Sequence, residues 1–253
     1  MATVALTGAN GGVGQAVTAR LRAGGHRVIT VDVSDADVVV DLSTSGGRRA
    51  MVRDVDELCG GALDGLVVAS GVPAGDPAML VSVNYFGALA ALEGLLPRLE
   101  HGAEPSAVVI GAAAATTSAK YPIEVSEWCL AGDEPRARQE AARNDHGVYV
   151  ASALALSLWA RRAAAAWRRR GVRLNIVAPG FIDGPAADEW AGVLVEESMP
   201  LPSGRVAVPA DVAAATAFLL SVDSAYINGV ILPVDGGTEA ELRSDDWPRP
   251  IGY

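Results

Sequence analysis

The residues best suited to chemistry stand near the N-terminus, where Thr7-Gly8-Ala9-Asn10-Gly11-Gly12-Val13-Gly14 follows a short apolar run and opens a helical pattern. Glycines in such a turn let the backbone fold tightly and approach a pyrophosphate, whose charge then rests on the N-terminus of the next helix. Eighteen residues past Gly14 a second apolar run ends at Asp32. A carboxylate there can accept hydrogen bonds from adenosine ribose hydroxyls and repels a 2′-phosphate, so the pair predicts a dinucleotide cofactor, NAD rather than NADP. No metal site is expected. Cys59 and Cys129 are far apart with no CxxC, and His26, His101 and His146 complete no ligand spacing.

The elements that must position these groups are legible as alternating patterns. Apolar, β-branched runs occur at Thr3 to Leu6, Val28 to Val31, Val38 to Val40, Leu66 to Ala69, Val108 to Ile110, Leu174 to Val177 and Val230 to Pro233. Continuous apolar strands separated by amphipathic helices predict a parallel sheet covered on both faces, an α/β, Rossmann-like doubly wound domain of about seven strands. Helices are expected from Val81 to Leu99, ending near Pro97, and from Tyr149 to Arg170, stopped by Gly171. Residues 120–146 are polar and rich in Ala, Glu and Arg, and read as a helical insertion in a single domain spanning 1–253.

Composition excludes several function classes. The chain has 253 residues, half of them hydrophobic, and no apolar run read as approaching bilayer length. A formal charge of −10 argues against nucleic acid as a partner. The opening MATVALTG runs straight into a strand without a charged n-region, so a cytoplasmic protein and no membrane partner are expected. Nineteen of the twenty basic residues are Arg, which leaves Lys120 as the one lysine.

The spacing Gly8-x3-Gly12-x-Gly14 after a threonine resembles the short-chain dehydrogenase/reductase family, and further matches span most of the chain. Asp41-Leu42 is similar to the pair that contacts adenine there. Val68-Ala69-Ser70-Gly71 is similar to a degenerate Asn-Asn-Ala-Gly motif, and Asn84 to the asparagine of the family's proton relay. Asn175 to Gly180 matches the segment beside the nicotinamide, and Asp235-Gly236-Gly237 the end of the last strand. SVNYFGA, the insertion and RAAAAWRRRGVRLN look most like the bacterial 3α-hydroxysteroid dehydrogenase/carbonyl reductase subgroup. The resemblance implies an NAD site built from Gly8, Asn10, Gly12, Val13, Gly14, Asp32, Asp41, Leu42, Ala69, Ser70, Gly71, Pro179, Gly180 and Ile182. It also implies a homodimer or homotetramer, and a lid over 183–203 whose Trp190, Leu194, Val195 and Met199 would close on an apolar or aromatic small molecule.

Family chemistry resembles a tyrosine acid/base, a serine that polarises the carbonyl, a lysine one turn after the tyrosine, and the relay asparagine. The lysine is needed because a phenol of pKa about 10 must exchange a proton near neutrality, and a nearby cation lowers that pKa. Here Tyr149 and Asn84 are present, but the serine position is Ala112 and the lysine position is Ala153. Thr116, Thr117, Ser118 and Lys120 follow on the adjoining loop as candidate replacements, and Asp183 reads as a solvent-facing acid. Arg161 and Arg162 are three turns past Tyr149 and cannot substitute for Ala153. Three functions follow from these residues: an NAD-dependent oxidoreductase acting on a hydroxyl or ketone; a non-redox enzyme using Tyr149 for dehydration, isomerisation, cyclisation or elimination; or a catalytically silent NAD-binding protein.

Overall fold

The computed structural model describes residues 1–118, 120–144, 146–183 and 200–246. Its centre is one seven-stranded sheet of order β3-β2-β1-β4-β5-β6-β7, every neighbouring pair parallel. The strands are β1 (Thr3–Thr7), β2 (Arg27–Asp32), β3 (Val38–Val39), β4 (Gly65–Val68), β5 (Ser106–Ile110), β6 (Arg173–Pro179) and β7 (Ile231–Val234). They read as unbroken apolar runs because β4, β5 and β6 are buried on both faces. Register pairs Thr7 with Val31 on one side and with Val68 on the other. The chain therefore leaves β1 at the point where strand order reverses, and a crevice opens there beyond the carboxyl ends.

Helices cover both faces. α1 (Gly12–Ala23) packs against α9 (Pro209–Leu220) on one side. On the other lie α2 (Ser45–Cys59), a helical rod made of α3 (Pro77–Val81), a π-helical turn (Ser82–Gly87) and α4 (Ala88–Leu99), and the long α8 (Val148–Arg169). Two short helices, α5 (Ala114–Thr117) and α10 (Thr238–Leu242), sit at the crevice end of β5 and after β7. The 120–146 segment contains α6 (Ile123–Leu130) and α7 (Glu134–Ala141). Ser126 fastens α6 to α8 by donating to the Ala151 carbonyl at 2.9 Å.

One expectation is borne out and one is corrected. The helix ends at Leu99, two residues past Pro97. Proline removes one N–H donor, and the carbonyl it would have served belongs to Glu93, which like Pro97 is exposed and can be hydrated. Apolar runs of bilayer length are not wholly lacking. Pro77–Leu99 is one continuous 23-residue rod whose most apolar 18-residue stretch has a mean hydropathy of 1.5, but 67% of that stretch is buried inside the protein, as in a core helix.

Two buried arginines lock the frame, one in an ion pair and one on backbone carbonyls. Arg48 on α2 is 9% exposed and makes a bidentate pair with Glu134 on α7 at 2.6 and 2.7 Å, while also donating to the carbonyls of Leu42 and Ser82. Arg173, only 3% exposed at the start of β6, donates to the carbonyls of Leu219, Leu220, Ser221 and Ser224 and to the Ser224 hydroxyl. Its charge caps the C-terminus of α9, where a cation complements the helix dipole.

Candidate active site

The glycine turn is shaped by contact distances. Gly8 has φ +74°, a conformation L side chains rarely adopt, and a Cβ there would lie 2.5 Å from the Ala69 carbonyl oxygen. A Cβ on Gly14 would come within 1.9 Å of the Gly8 oxygen, so strand, turn and helix close up only with glycine. Gly11 and Gly12 differ. A Cβ on either would meet nothing nearer than 3.5 Å, and both face the cleft. Gly11 is also the N-cap of α1 and brings no side-chain cap, which leaves the first N–H groups of the helix available to an anion.

Asp32 is fixed at the end of β2. Its Oδ2 accepts from the Asn10 N–H at 2.8 Å and its Oδ1 from the Val33 N–H at 2.7 Å, while the Asn10 amide donates to the Ser34 carbonyl. Each carboxylate oxygen keeps a lone pair for a ribose hydroxyl. Farther along this edge Asp41 is exposed and its Oδ1 accepts from the Ser43 N–H, whereas Leu42 is buried in the core.

Beyond the turn, a cleft of about 350 Å³ runs along the ends of β4, β5 and β6. Of the residues singled out by sequence, Gly12, Val13, Gly14, Ala69, Ser70, Gly71, Asn84, Ala112, Tyr149, Ala153, Pro179, Gly180 and Ile182 line it. Gly8, Asn10, Asp32, Asp41 and Leu42 lie outside its lining. Pro73, Leu156 and Phe181 also line the cleft and were missed. Leu156 carried a readable signal, since it lies two turns after Tyr149 on the same helix face. Pro73 carried none, because it sits in a loop. The expected lid at 183–203 falls largely on 184–199, outside the described residues.

Ala112 and Ala153, 7% and 8% exposed, pack with Ala115 into one small apolar cluster against Tyr149. The two positions that the family resemblance assigns to a hydroxyl and an ammonium thus lie in one apolar cluster beside Tyr149. Burial pushes the Tyr149 phenol up to about 12, opposite to the shift a nearby cation would cause. The candidate replacements lie elsewhere: the hydroxyls of Thr116 and Thr117 donate back to the Ala113 carbonyl, and Lys120 is exposed. Ser118 and Lys120 are not among the residues that line the cleft.

Asn84 stands in the π-helical turn, a local widening often found at functional sites. Its Oδ1 accepts from the Val72 N–H at 2.8 Å and its Nδ2 donates to the Val72 carbonyl at 3.0 Å, so the amide ties the rod to the loop after β4. On the far wall Phe181 and Asp183 form a short bridge with Ala207, and the Asp183 side chain is exposed.

Comparison with known proteins agrees with this geometry. The family model described as Enoyl-(Acyl carrier protein) reductase matches residues 137–239. The chain is 37% identical to 3-alpha-hydroxysteroid dehydrogenase/carbonyl reductase of Comamonas testosteroni, over 96% of this chain and 98% of that protein. It is 31% identical to a coniferyl-alcohol dehydrogenase of a Pseudomonas species, over 92% and 95%. Among solved structures, a 3-alpha-hydroxysteroid dehydrogenase from Pseudomonas sp. B-0831, crystallised with NADH, superposes with a TM-score of 0.89 at 40% identity, covering 96% of this chain and 99% of that one. With strand order, glycine turn and full-length relatives in agreement, the chain belongs to the short-chain dehydrogenase/reductase family of oxidoreductases.

Proposed function

We propose that the protein is an NAD(H)-linked oxidoreductase that reduces a carbonyl on an apolar or aromatic skeleton, with Tyr149 as the proton donor. The observation that carries this reading is Tyr149 in the wall of a cleft whose other end is the glycine turn of α1. The residues present fit the cofactor at that end. Gly11 and Gly12 leave room above an uncapped helix terminus, and Asp32 is held to receive ribose hydroxyls. NADH would supply the hydride when bound.

The residues of the chain divide the remaining work. The Tyr149 hydroxyl hydrogen-bonds the substrate oxygen and gives up its proton as negative charge develops there. Asn84 holds the Val72 loop that forms the adjacent wall, and Leu156, Phe181 and Ala112 supply apolar surface for the substrate skeleton. With Ala112 and Ala153 standing at the positions that the family resemblance assigns to serine and lysine, carbonyl polarisation falls to the phenol. Losing one such donor typically costs about 3 kcal/mol of transition-state stabilisation, so turnover is slow beside relatives that keep it.

Burial holds the phenol in its acid form at neutral pH, the form in which Tyr149 gives its proton to a substrate oxygen. The test is NADH consumption at 340 nm with a panel of apolar ketones, comparing the native protein with Tyr149→Phe. Substrate-dependent consumption that disappears in Tyr149→Phe, while NADH binding persists, supports the reading. Turnover without any nicotinamide absorbance change would favour a second reading, non-redox catalysis by the same neutral phenol, which the apolar alanine cluster also suits.

A further inference from the structure

We infer that the cleft grips its nucleotide by the adenosine and pyrophosphate alone, so that ADP binds about as well as NADH. The inference rests on the proposed NAD(H) reading and concerns which half of the molecule the protein holds. A dinucleotide whose pyrophosphate lies on the α1 terminus must run two ways along the carboxyl edge of the sheet. One way leads past Asn10 to Asp32 at the end of β2. The other leads past the ends of β4 and β5 to Ala112, Ala153 and Pro179.

The two directions differ in chemistry. On the β2 side a carboxylate is braced by two backbone N–H groups and keeps acceptor capacity. At the turn, open helix N–H groups and two glycines with clear space above them suit a phosphate. On the β5 side the wall is an apolar surface formed by Ala112, Ala114 and Ala153, continued by Leu156 and Phe181. A second ribose brings two hydroxyls to that surface, and a hydroxyl buried without a partner offsets the gain from burying the attached ring.

The polar side chains among the described lining residues do not change this balance. Asn84 accepts from the Val72 N–H at its Oδ1 and donates to the Val72 carbonyl from its Nδ2, which turns the amide toward that loop. Ser70 is drawn toward β1, accepting from the Thr7 hydroxyl at 3.0 Å. Tyr149 is the group the proposed function reserves for substrate. Among the described residues, the first nucleoside thus meets fixed polar partners, and the second meets a mainly apolar wall.

Calorimetry on the intact native protein with NADH, ADP-ribose and ADP tests the inference. The expected result is three dissociation constants within about tenfold of one another. Asp32→Asn supplies an independent arm, in which NADH and ADP should weaken by the same factor because the same half of each ligand is held. NADH binding more than about tenfold tighter than ADP, or weakening much less than ADP in Asp32→Asn, overturns the inference and leaves the NAD(H) reading standing. Failure of all three ligands to bind at millimolar concentration overturns the reading and the inference together.

Discussion

Replacing Ala153 with lysine places a charge one helical turn from Tyr149, on a wall where the two residues already pack together. Residues four apart on a helix have Cβ atoms about 5–6 Å apart. An ammonium about 5 Å from the phenol oxygen, at an effective dielectric of about 20, favours the phenolate by about 3 kcal/mol. That is about two pKa units, taking the phenol from about 12 in the native protein to about 10. At pH 8 the phenolate fraction then rises from about one in ten thousand to about one in a hundred. Alcohol oxidation needs the phenolate as base and should accelerate about a hundredfold at that pH, whereas the kcat of ketone reduction, which needs the phenol, changes only a few-fold. The assay is the initial rate of NAD reduction at 340 nm across the alkaline range for both proteins, with ultraviolet titration of phenolate as a direct check. Superimposable oxidation profiles, in an Ala153→Lys protein that still binds NADH, would refute the reasoning.

Two further outcomes concern stability. Arg173→Met leaves the last carbonyls of α9 without their buried donor and should cost about 3 kcal/mol, read in thermal melts as a fall of about 6–12 °C; a Tm unchanged within error would show that water replaces the guanidinium. Asp211 is held down to about 2, chiefly by the Arg205 side chain and then by the Val208 N–H, against about 3.9 when unfolded. A depressed carboxyl stabilises the fold above its unfolded pKa and loses that contribution as pH falls through the folded one. Asp211→Asn should therefore flatten the dependence of Tm on pH between about pH 4 and 2, and a slope as steep as the native one would contradict the assignment.

Much of the fold was legible because burial on both faces writes parallel strands as unbroken apolar runs, and the seven expected runs are the seven strands. Boundaries slipped where a residue type misleads locally. The sixth apolar run reads from Leu174, but β6 starts one residue earlier at Arg173, whose guanidinium reaches carbonyls some 46 residues away in sequence. The π-helical turn at Ser82–Gly87 was not legible, since its apolar spacing is that of an ordinary helix. Nor was the Arg48–Glu134 pair, which joins positions 86 residues apart.

The candidate site shows a similar division. The glycine turn and Asp32 could be read because each is a local pattern with a backbone reason. The family resemblance marks Ala112 and Ala153 as departures, but only the folded chain brings them together with Ala115 against Tyr149. That convergence changes their meaning from two separate losses to one apolar surface, and it is why the phenol is expected to remain an acid at neutral pH.

The most direct test of the central claim, that Tyr149 protonates a carbonyl as it accepts hydride in this cleft, is isotope transfer. Native protein is supplied with NADH deuterated at the transferable position and with an apolar ketone that supports turnover, and the product is analysed by mass spectrometry. The account predicts an alcohol carrying one deuterium on the former carbonyl carbon, and no such product with Tyr149→Phe. A product formed without deuterium, or formed equally well by Tyr149→Phe, would contradict it.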